Sequence, residues 1–424
     1  MRRLLAFVCF SALLALLVLG ALPGSAAEQV TLRWTVWAGS PEELNIYQLQ
    51  AKEFQAKNPG IKVILESGPF ANYWDKQQAA FASNTAADVM ELSHAFWPSL
   101  KTKGVLLDLL PIIRKTGYDL DGFYPQLLDN FYYNGGLYGF PVNASTCALY
   151  YNKTLFDKAG IPYPDKTWTW DTFLGAAKKL TKYDASGRAV QWGASIGKSS
   201  GFALWNPILV FLWQNGADML NDDYTEFVMN SPEAVEALQF LVDLRLKHRV
   251  APTPFEEADL GNLFMSGRVA MEVNHRAMVP AYKQITTFEW DVAHLPYKKE
   301  RATTLGAPCF CISAKTKHPE EAFKLLSYIV GEGQRFNMSL GNSIPTRKDP
   351  ALLELNLVPP PENGVVFIDA VEYGHKVPYN PVWSEMDGIM TKALDLVWLG
   401  RKSVQDAMNE IKPQIDRLLK SVAK

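Results

Sequence analysis

The sequence predicts an α/β fold large enough for two domains, on three observations. The chain has 424 residues, more than one ordinary core encloses, which points to two domains or one large α/β unit. Apolar residues make up 48%, enough for a folded interior and against long disorder. Strand-period segments alternate with helix-period segments in the first third of the chain, the pattern of a mostly parallel sheet covered by helices.

The first residues read as an export signal, not as part of the fold. Arg2 and Arg3 supply a positive end, and Leu4 to Leu19 is an apolar run broken only by Ser11. Leu22-Pro23-Gly24 breaks a helix, and Ser25-Ala26-Ala27 offers small residues at a cleavage position, so residues 1–27 are expected to be removed after Ala27. An uncleaved anchor is the alternative, with a run somewhat short to span a bilayer. Cleavage would take the formal charge from −2 to −4, a balance that does not favour nucleic acid or an anionic membrane as partner.

Val30 to Val36 alternates apolar with polar residues and predicts the first strand. Pro41-Glu42-Glu43 then opens a helix running through Ile46, Leu49 and Phe54, and Asn58-Pro59-Gly60 is a turn. Ile61 to Leu65 is the second strand, residues 72–83 a helix, and Ala87 to Leu92 the third strand. Later helices announce themselves by their caps: Thr169 before Trp170, Ser231 before Pro232, and Pro319 leading Glu320-Glu321. The last helix, from about Ser403, carries Ala407, Ile411, Ile415 and Leu418.

Three cysteines follow the signal, Cys147, Cys309 and Cys311, an odd number that makes no disulfide framework. They read as small buried residues, with a bridge from Cys147 to one of the other two as the sharper alternative. Gly197-Lys198-Ser199-Ser200-Gly201 matches a bare nucleophile pattern but offers a loop rather than a strand-turn-helix. It fails as a phosphate loop because Trp192 stands where the first glycine belongs. The six histidines have no metal-ligand spacing among themselves or with the cysteines, so neither metal nor cofactor is expected.

Residues 137–182 carry a recognisable series: Leu137-Tyr138-Gly139-Phe140-Pro141, Ala148 to Lys153, Leu155 to Ile161, and Thr169-Trp170-Asp171. Further pieces stand at Ser231 to Leu241, Phe264 to Met271, and Ile344 to Arg347. The series resembles bacterial extracellular solute-binding protein family 1, the sugar-binding, maltose-binding-protein-like components of ABC importers. The resemblance implies a two-lobed periplasmic-binding-protein fold of type II, with discontinuous α/β lobes, hinge crossings and ligand in the cleft. It implies crossings near Val142 to Ala148, Val269 to Asn274 and Leu305 to Cys311. The expected lobes are 28–143 plus 272–307, and 144–271 plus 308–424 with a helical C-terminal part. It also implies a monomer that binds a small-molecule sugar and hands it to a membrane permease, without catalysis.

A sugar offers flat C–H faces to aromatic rings and hydroxyls to polar edges. The chain has 12 Trp and 17 Tyr, and those beyond strand ends or at crossings are the candidates. Trp37, Gly39 and Ser40 follow the first strand; His94 and Trp97 follow the third. Where maltose-binding members place charged contacts in that second loop, this chain has Ala95 and Phe96, which argues against maltose. Asn143 and Ser145 lie in the first crossing, where satisfying hinge backbone groups is their other possible role. Trp205 starts an aromatic-rich helix, and Asn274 and Arg276 follow a crossing. Gly306 sits in the third crossing, and Tyr379 and Trp383 come late as stacking rings. Arg276 as an anion clamp would suit a phosphorylated polyol or acidic sugar, and its alternative is a structural ion pair. A secreted glycoside hydrolase, the rival from another class, needs two cleft carboxylates, and no convincing pair is visible.

Overall fold

Leu32, Trp34 and Val36 alternate with more polar neighbours, and the structure buries all three completely in the strand Val30–Trp37. The computed structural model describes residues 29–38, 40–93, 97, 100, 103–196, 208–254, 256–257 and 262–422. The expected signal, Gly39, His94, Trp205 and the loop at 197–201 lie outside the described residues.

Val30–Trp37 pairs in parallel with Ile61–Gly68, from Val30 opposite Ile61 to Trp37 opposite Gly68, and on its other side with Val89–Leu92. The helices Pro41–Lys57 and Phe70–Ala82 connect these strands, as the alternation predicts. The sheet then continues with two antiparallel strands from far along the chain, in the order Ile61–Gly68, Val30–Trp37, Val89–Leu92, Cys309–Ile312, Phe140–Pro141. A second sheet runs Trp290–Ala293, Cys147–Asn152, Val269–His275, Ala189–Ser195, Lys182–Tyr183.

Helix starts fall where their caps place them. Thr169 accepts from the Thr172 amide at the head of Trp170–Leu180, and Ser231 from the Ala234 amide at the head of Pro232–Leu246. Pro319–Val330 buries Phe323, Leu326 and Ile329 against the first sheet. The last helix, Val404–Val422, buries Ala407, Ile411, Ile415 and Leu419, and packs with Trp383–Trp398 into the second core. Each fully buried aliphatic there contributes about 1.5–3 kcal/mol relative to an exposed one. Gly193 lets Ala189–Ser195 approach the helix Trp170–Leu180: a Cβ there would stand 1.9 Å from the Ala177 carbonyl oxygen. All three described cysteines are free and buried; Cys309 Sγ lies 3.5 Å from Cys311 Sγ, and Cys147 Sγ 3.3 Å from His275 Nε2.

Strand membership corrects the expected division at two places. Val269–His275 and Trp290–Ala293, expected to carry 272–307 into the first lobe, hydrogen-bond within the second sheet. Cys309–Ile312, expected in the second lobe, is wholly buried between Val89–Leu92 and Phe140–Pro141 in the first. The reason is pairing: a strand's pattern fixes which face is buried but not which sheet it joins.

Three stretches pass side by side between the sheets. Val142 donates its amide to the Pro308 carbonyl at 2.9 Å, and Ser145 to the Gly306 carbonyl at 2.9 Å. On the other flank Ala144 and Ile344 exchange amide hydrogen bonds of 3.1 and 2.8 Å. The first and third expected crossings are therefore neighbours. The one expected at Val269 to Asn274 is instead a strand interior, and its place is taken by the stretch around Ile344.

Candidate functional site

Beside these crossings a cavity of ≈ 230 Å³ opens between the two halves. Its first wall comes from the short helix Pro125–Leu128 and the turn after it, which present Asp129, Asn130, Phe131 and Tyr132. Phe131 is fully buried and meets Trp97 edge to face at 5.6 Å, so Trp97 stiffens this wall as well as lining it. Tyr132 is 40% exposed and offers a ring to solvent. The floor is Leu305, Gly306 and Ala307 of the crossing.

The opposite wall is Lys376 to Tyr379 with Tyr224. This segment is held by Gly374–His375, which pairs in parallel with Thr303–Thr304 of the crossing, and by the Leu305 amide donating to the His375 carbonyl at 2.7 Å. His375 stacks on Trp213 at 4.9 Å and 18°, and Trp383 holds Tyr379 edge to face at 4.5 Å. Tyr224 is 47% exposed with φ +56°, at the end of the Asp222-Asp223 turn.

The charges face each other across the gap. Burial lowers the Lys376 ammonium pKa, and the Asp129 carboxylate of the other wall partly restores it. Burial raises the phenols of Tyr132 and Tyr224, with Asp129 acting on the first and Asp218 and Asp222 on the second. Burial likewise lowers His375, against the pull of Asp218 and Glu300, which favours a neutral imidazole at pH 7. The Ser145 hydroxyl is buried in the crossing with no partner among the described residues. The site can therefore stack flat faces on Tyr132, Tyr224 and Tyr379 and hydrogen-bond through Asp129, Asn130, Lys376 and the phenols.

Of the expected contacts, Trp97, Gly306 and Tyr379 line this cavity, and Ser145 is bonded to Gly306. The rest of the described candidates have structural occupations. Trp37 is half-buried, edge to face with Tyr73 at 5.5 Å. Ser40 caps Pro41–Lys57 by accepting from the Glu43 amide. Asn143 adopts φ +50° at the crossing and accepts from the Ser343 hydroxyl. Asn274 accepts from the His275 amide and donates to the Tyr282 hydroxyl. Trp383 is 8% exposed and supports Tyr379 from behind.

Arg276 corrects the clamp expectation. It is 1% exposed, donates to the carbonyls of Gly341 and Asn356 at 3.0 and 2.6 Å, and lies over the Phe367 ring. Burial pushes its pKa down to about 10. It pins the segment around residues 341–356 to the second sheet and does not line the cavity.

Sequence reasoning missed Asp129 to Tyr132, Tyr224 and Lys376 to Pro378. A signal existed for the first group: Phe131-Tyr132-Tyr133 is an aromatic run beside Asp129-Asn130 and just before the Asn134-Gly135-Gly136 turn. Tyr224 and Lys376 carry no comparable local mark.

Residues 38–335 match the sequence pattern of the bacterial extracellular solute-binding protein family. An ABC substrate-binding protein of Listeria monocytogenes, solved in complex with cycloalternan, superposes with a TM-score of 0.80. The two are 29% identical, over 92% of this chain and 99% of that one. A solute-binding protein of an ABC transporter from Thermotoga lettingae, bound with α-D-tagatose, gives 0.74 at 25% identity, over 92% and 100%. The sn-glycerol-3-phosphate-binding periplasmic protein of Brucella abortus is 28% identical over 256 residues, 58% of this chain and 57% of that one. Among the described residues no helix is long and apolar enough to cross a membrane.

Proposed function

The chain belongs to the bacterial extracellular solute-binding protein family, and from that premise we propose that it is the sugar carrier of an ABC importer. It is exported, trimmed after Ala27, and monomeric. A sugar or oligosaccharide sits in the inter-lobe cavity, and the closed form presents it to the membrane permease. The observation that carries this reading is the pair of aromatic walls: Trp97, Phe131 and Tyr132 on one half, Tyr224 and Tyr379 on the other, with polar groups at their edges. Two solved relatives, 29% and 25% identical, hold cycloalternan and α-D-tagatose.

Closure follows from the layout. The walls belong to different halves, and the halves are joined by three stretches that run side by side. A ligand touching both walls binds the closed arrangement better than the open one, and that difference drives the shift. Carriage is favoured over cleavage because glycoside hydrolysis takes two carboxylates, and among the described lining residues Asp129 is the single one.

Intrinsic tryptophan fluorescence and calorimetry against a panel of mono- and oligosaccharides test the reading. A saturable response to at least one sugar, shifted to higher concentration in Tyr379→Ala, is expected; silence across the panel removes sugar as the ligand.

A second reading, a phosphorylated polyol, is favoured by one feature: Lys376 places a cation in the cavity, and one relative is named for sn-glycerol 3-phosphate. If that reading holds, Lys376→Gln abolishes glycerol 3-phosphate binding; undiminished affinity eliminates it.

A further inference from the structure

The second half carries another cavity, larger than the cleft, at the opposite end of its sheet. It measures ≈ 780 Å³ and is lined by Arg188, Arg245, Arg249 and Arg268, against the acids Asp184 and Glu256. Ala189 and Arg268 stand at the beginnings of the parallel strands Ala189–Ser195 and Val269–His275, or next to them. The other end of Val269–His275 meets the crossing, where Arg276 donates its amide to the Thr146 carbonyl. The strand length separates the two sites by roughly 20 Å.

Four guanidiniums share one cavity with two acids; Asp184 pairs with Arg188, and a net positive charge remains. Asp184 accepts from Ser186 and from Arg188, and Glu256 accepts from the amide and hydroxyl of Thr253. Arg249 donates to the Gly187 carbonyl and lies over the Tyr183 ring. The exposed side chain of Arg268 makes no ion pair among the described residues.

Arg245 is the decisive member. It is 3% exposed, yet Nε and Nη2 have no hydrogen-bond partner among the described residues. Its Nη1 reaches only the Leu241 carbonyl at 3.3 Å, its plane lies over Trp398 at 4.8 Å, and the Glu257 carboxylate acts on it from a distance. A buried guanidinium with donors left over is costly unless something accepts from it. A phosphate matches such donors in number and geometry.

The cavity also has an apolar side. Trp192 and Ala251 line it, and Val190 and Leu246 stand there 52% and 40% exposed. Its volume falls in the range of small-molecule sites, about 300–1,000 Å³, and exceeds what a bare ion fills.

We propose that this cavity is a second binding site, for a phosphate group carried on a partly apolar body, either a soluble phosphoester or a phospholipid headgroup. The phosphate takes the free donors of Arg245 with Arg268 and Arg188, and the body rests on Trp192, Val190 and Leu246. The site is separate from the cleft and does not depend on what the cleft carries.

The probes are inorganic phosphate, followed by calorimetry and by the thermal midpoint against sodium chloride of equal ionic strength, and phosphatidylglycerol vesicles, followed by co-sedimentation against phosphatidylcholine. Saturable phosphate binding that raises the midpoint is expected. The double variant Arg188→Gln/Arg268→Gln, altered only at exposed positions, should weaken it at least tenfold. Lys376→Gln and Tyr379→Ala, in the cleft, should leave it unchanged. Arg245→Met, if it folds, should abolish it. Response to phosphate identifies a soluble phosphoester, and response to vesicles alone identifies a headgroup. Absence of both, or binding undiminished in the double variant, overturns the proposal.

Discussion

The two sheets use similar strands but assemble them by different routes. The first takes its three parallel strands from residues 30–92 and the helices between them, then closes with Cys309–Ile312 and Phe140–Pro141. The second threads strands from residues 147–293 and is covered partly by helices from residues 383–422. Their buried charges differ as well. The first buries Glu91, held by the Tyr47 hydroxyl at 3.1 Å; the second buries Arg245, Glu257, Glu272, Arg276 and Asp291. The lesson is that local assembly leaves a plain trace in sequence, whereas distant assembly leaves only the faces of its parts.

The sharpest way to break that contrast is to weaken the distant cover. Ile415 is fully buried, and Ile415→Ala should cost about 2–5 kcal/mol in urea unfolding. Circular dichroism and fluorescence should move together, because the strands of each half are interleaved in the chain. Two separated transitions would show the halves to be independent.

Next comes the contact between Gly193 and the helix Trp170–Leu180. Gly193→Ala should cost on the order of 3 kcal/mol, since backbone must move. Gly175→Ala, in that same helix with nothing within 4 Å of the added carbon, should instead stabilise by about 1 kcal/mol. Equal effects would remove close approach as the explanation.

Buried acids offer a pH comparison. Burial raises Glu272 from 4.5 to about 7, opposed by hydrogen bonds from Tyr282 and Asn274. The folded chain thus keeps a proton that the unfolded chain has released, so this group lowers stability as pH climbs from 4.5 to about 7 and is level above. Glu272→Gln should gain on the parent through that window, by at most about 1.4 kcal/mol per pH unit, read from denaturant midpoints. Burial raises Glu91 well above its usual range too, so Glu91→Gln should likewise gain on the parent as pH climbs above the usual carboxylate range. A pH-independent gap between either variant and the parent would remove the buried acid as the cause.

The smallest effects test the walls. Tyr132→Ala and Tyr379→Ala should each weaken cleft ligand about tenfold, near 1.4 kcal/mol, with little change in unfolding. Loss confined to one wall would mean that ligand rests on one half alone.

Legibility followed the same division. Local signals placed the three parallel strands and the capped helices within a few residues, because alternation and caps are set by neighbours. The second sheet's membership was misjudged because pairing partners lie far off in sequence. At the site, Trp97, Gly306 and Tyr379 were legible as an aromatic or glycine beyond a strand or crossing. Asn143 and Ser40 share that position but serve turn and cap, which polar residues do equally well. Tyr224 and Lys376 became visible only when the fold brought residues 224 and 376 beside residue 129. Arg276 looked like a clamp because charge is visible in sequence and burial is not.

Cys309–Ile312 also sets a schedule. As the polypeptide emerges from its N-terminus, the side of Val89–Leu92 that pairs with Cys309–Ile312 has no mate until residue 312 arrives. For all that interval the nascent first sheet displays an open β-edge, an adhesive surface for other chains. About half of the chain, residues 93–308, is therefore added with that edge uncovered, and slowing synthesis between residues 92 and 309 should raise aggregation more than slowing it afterwards.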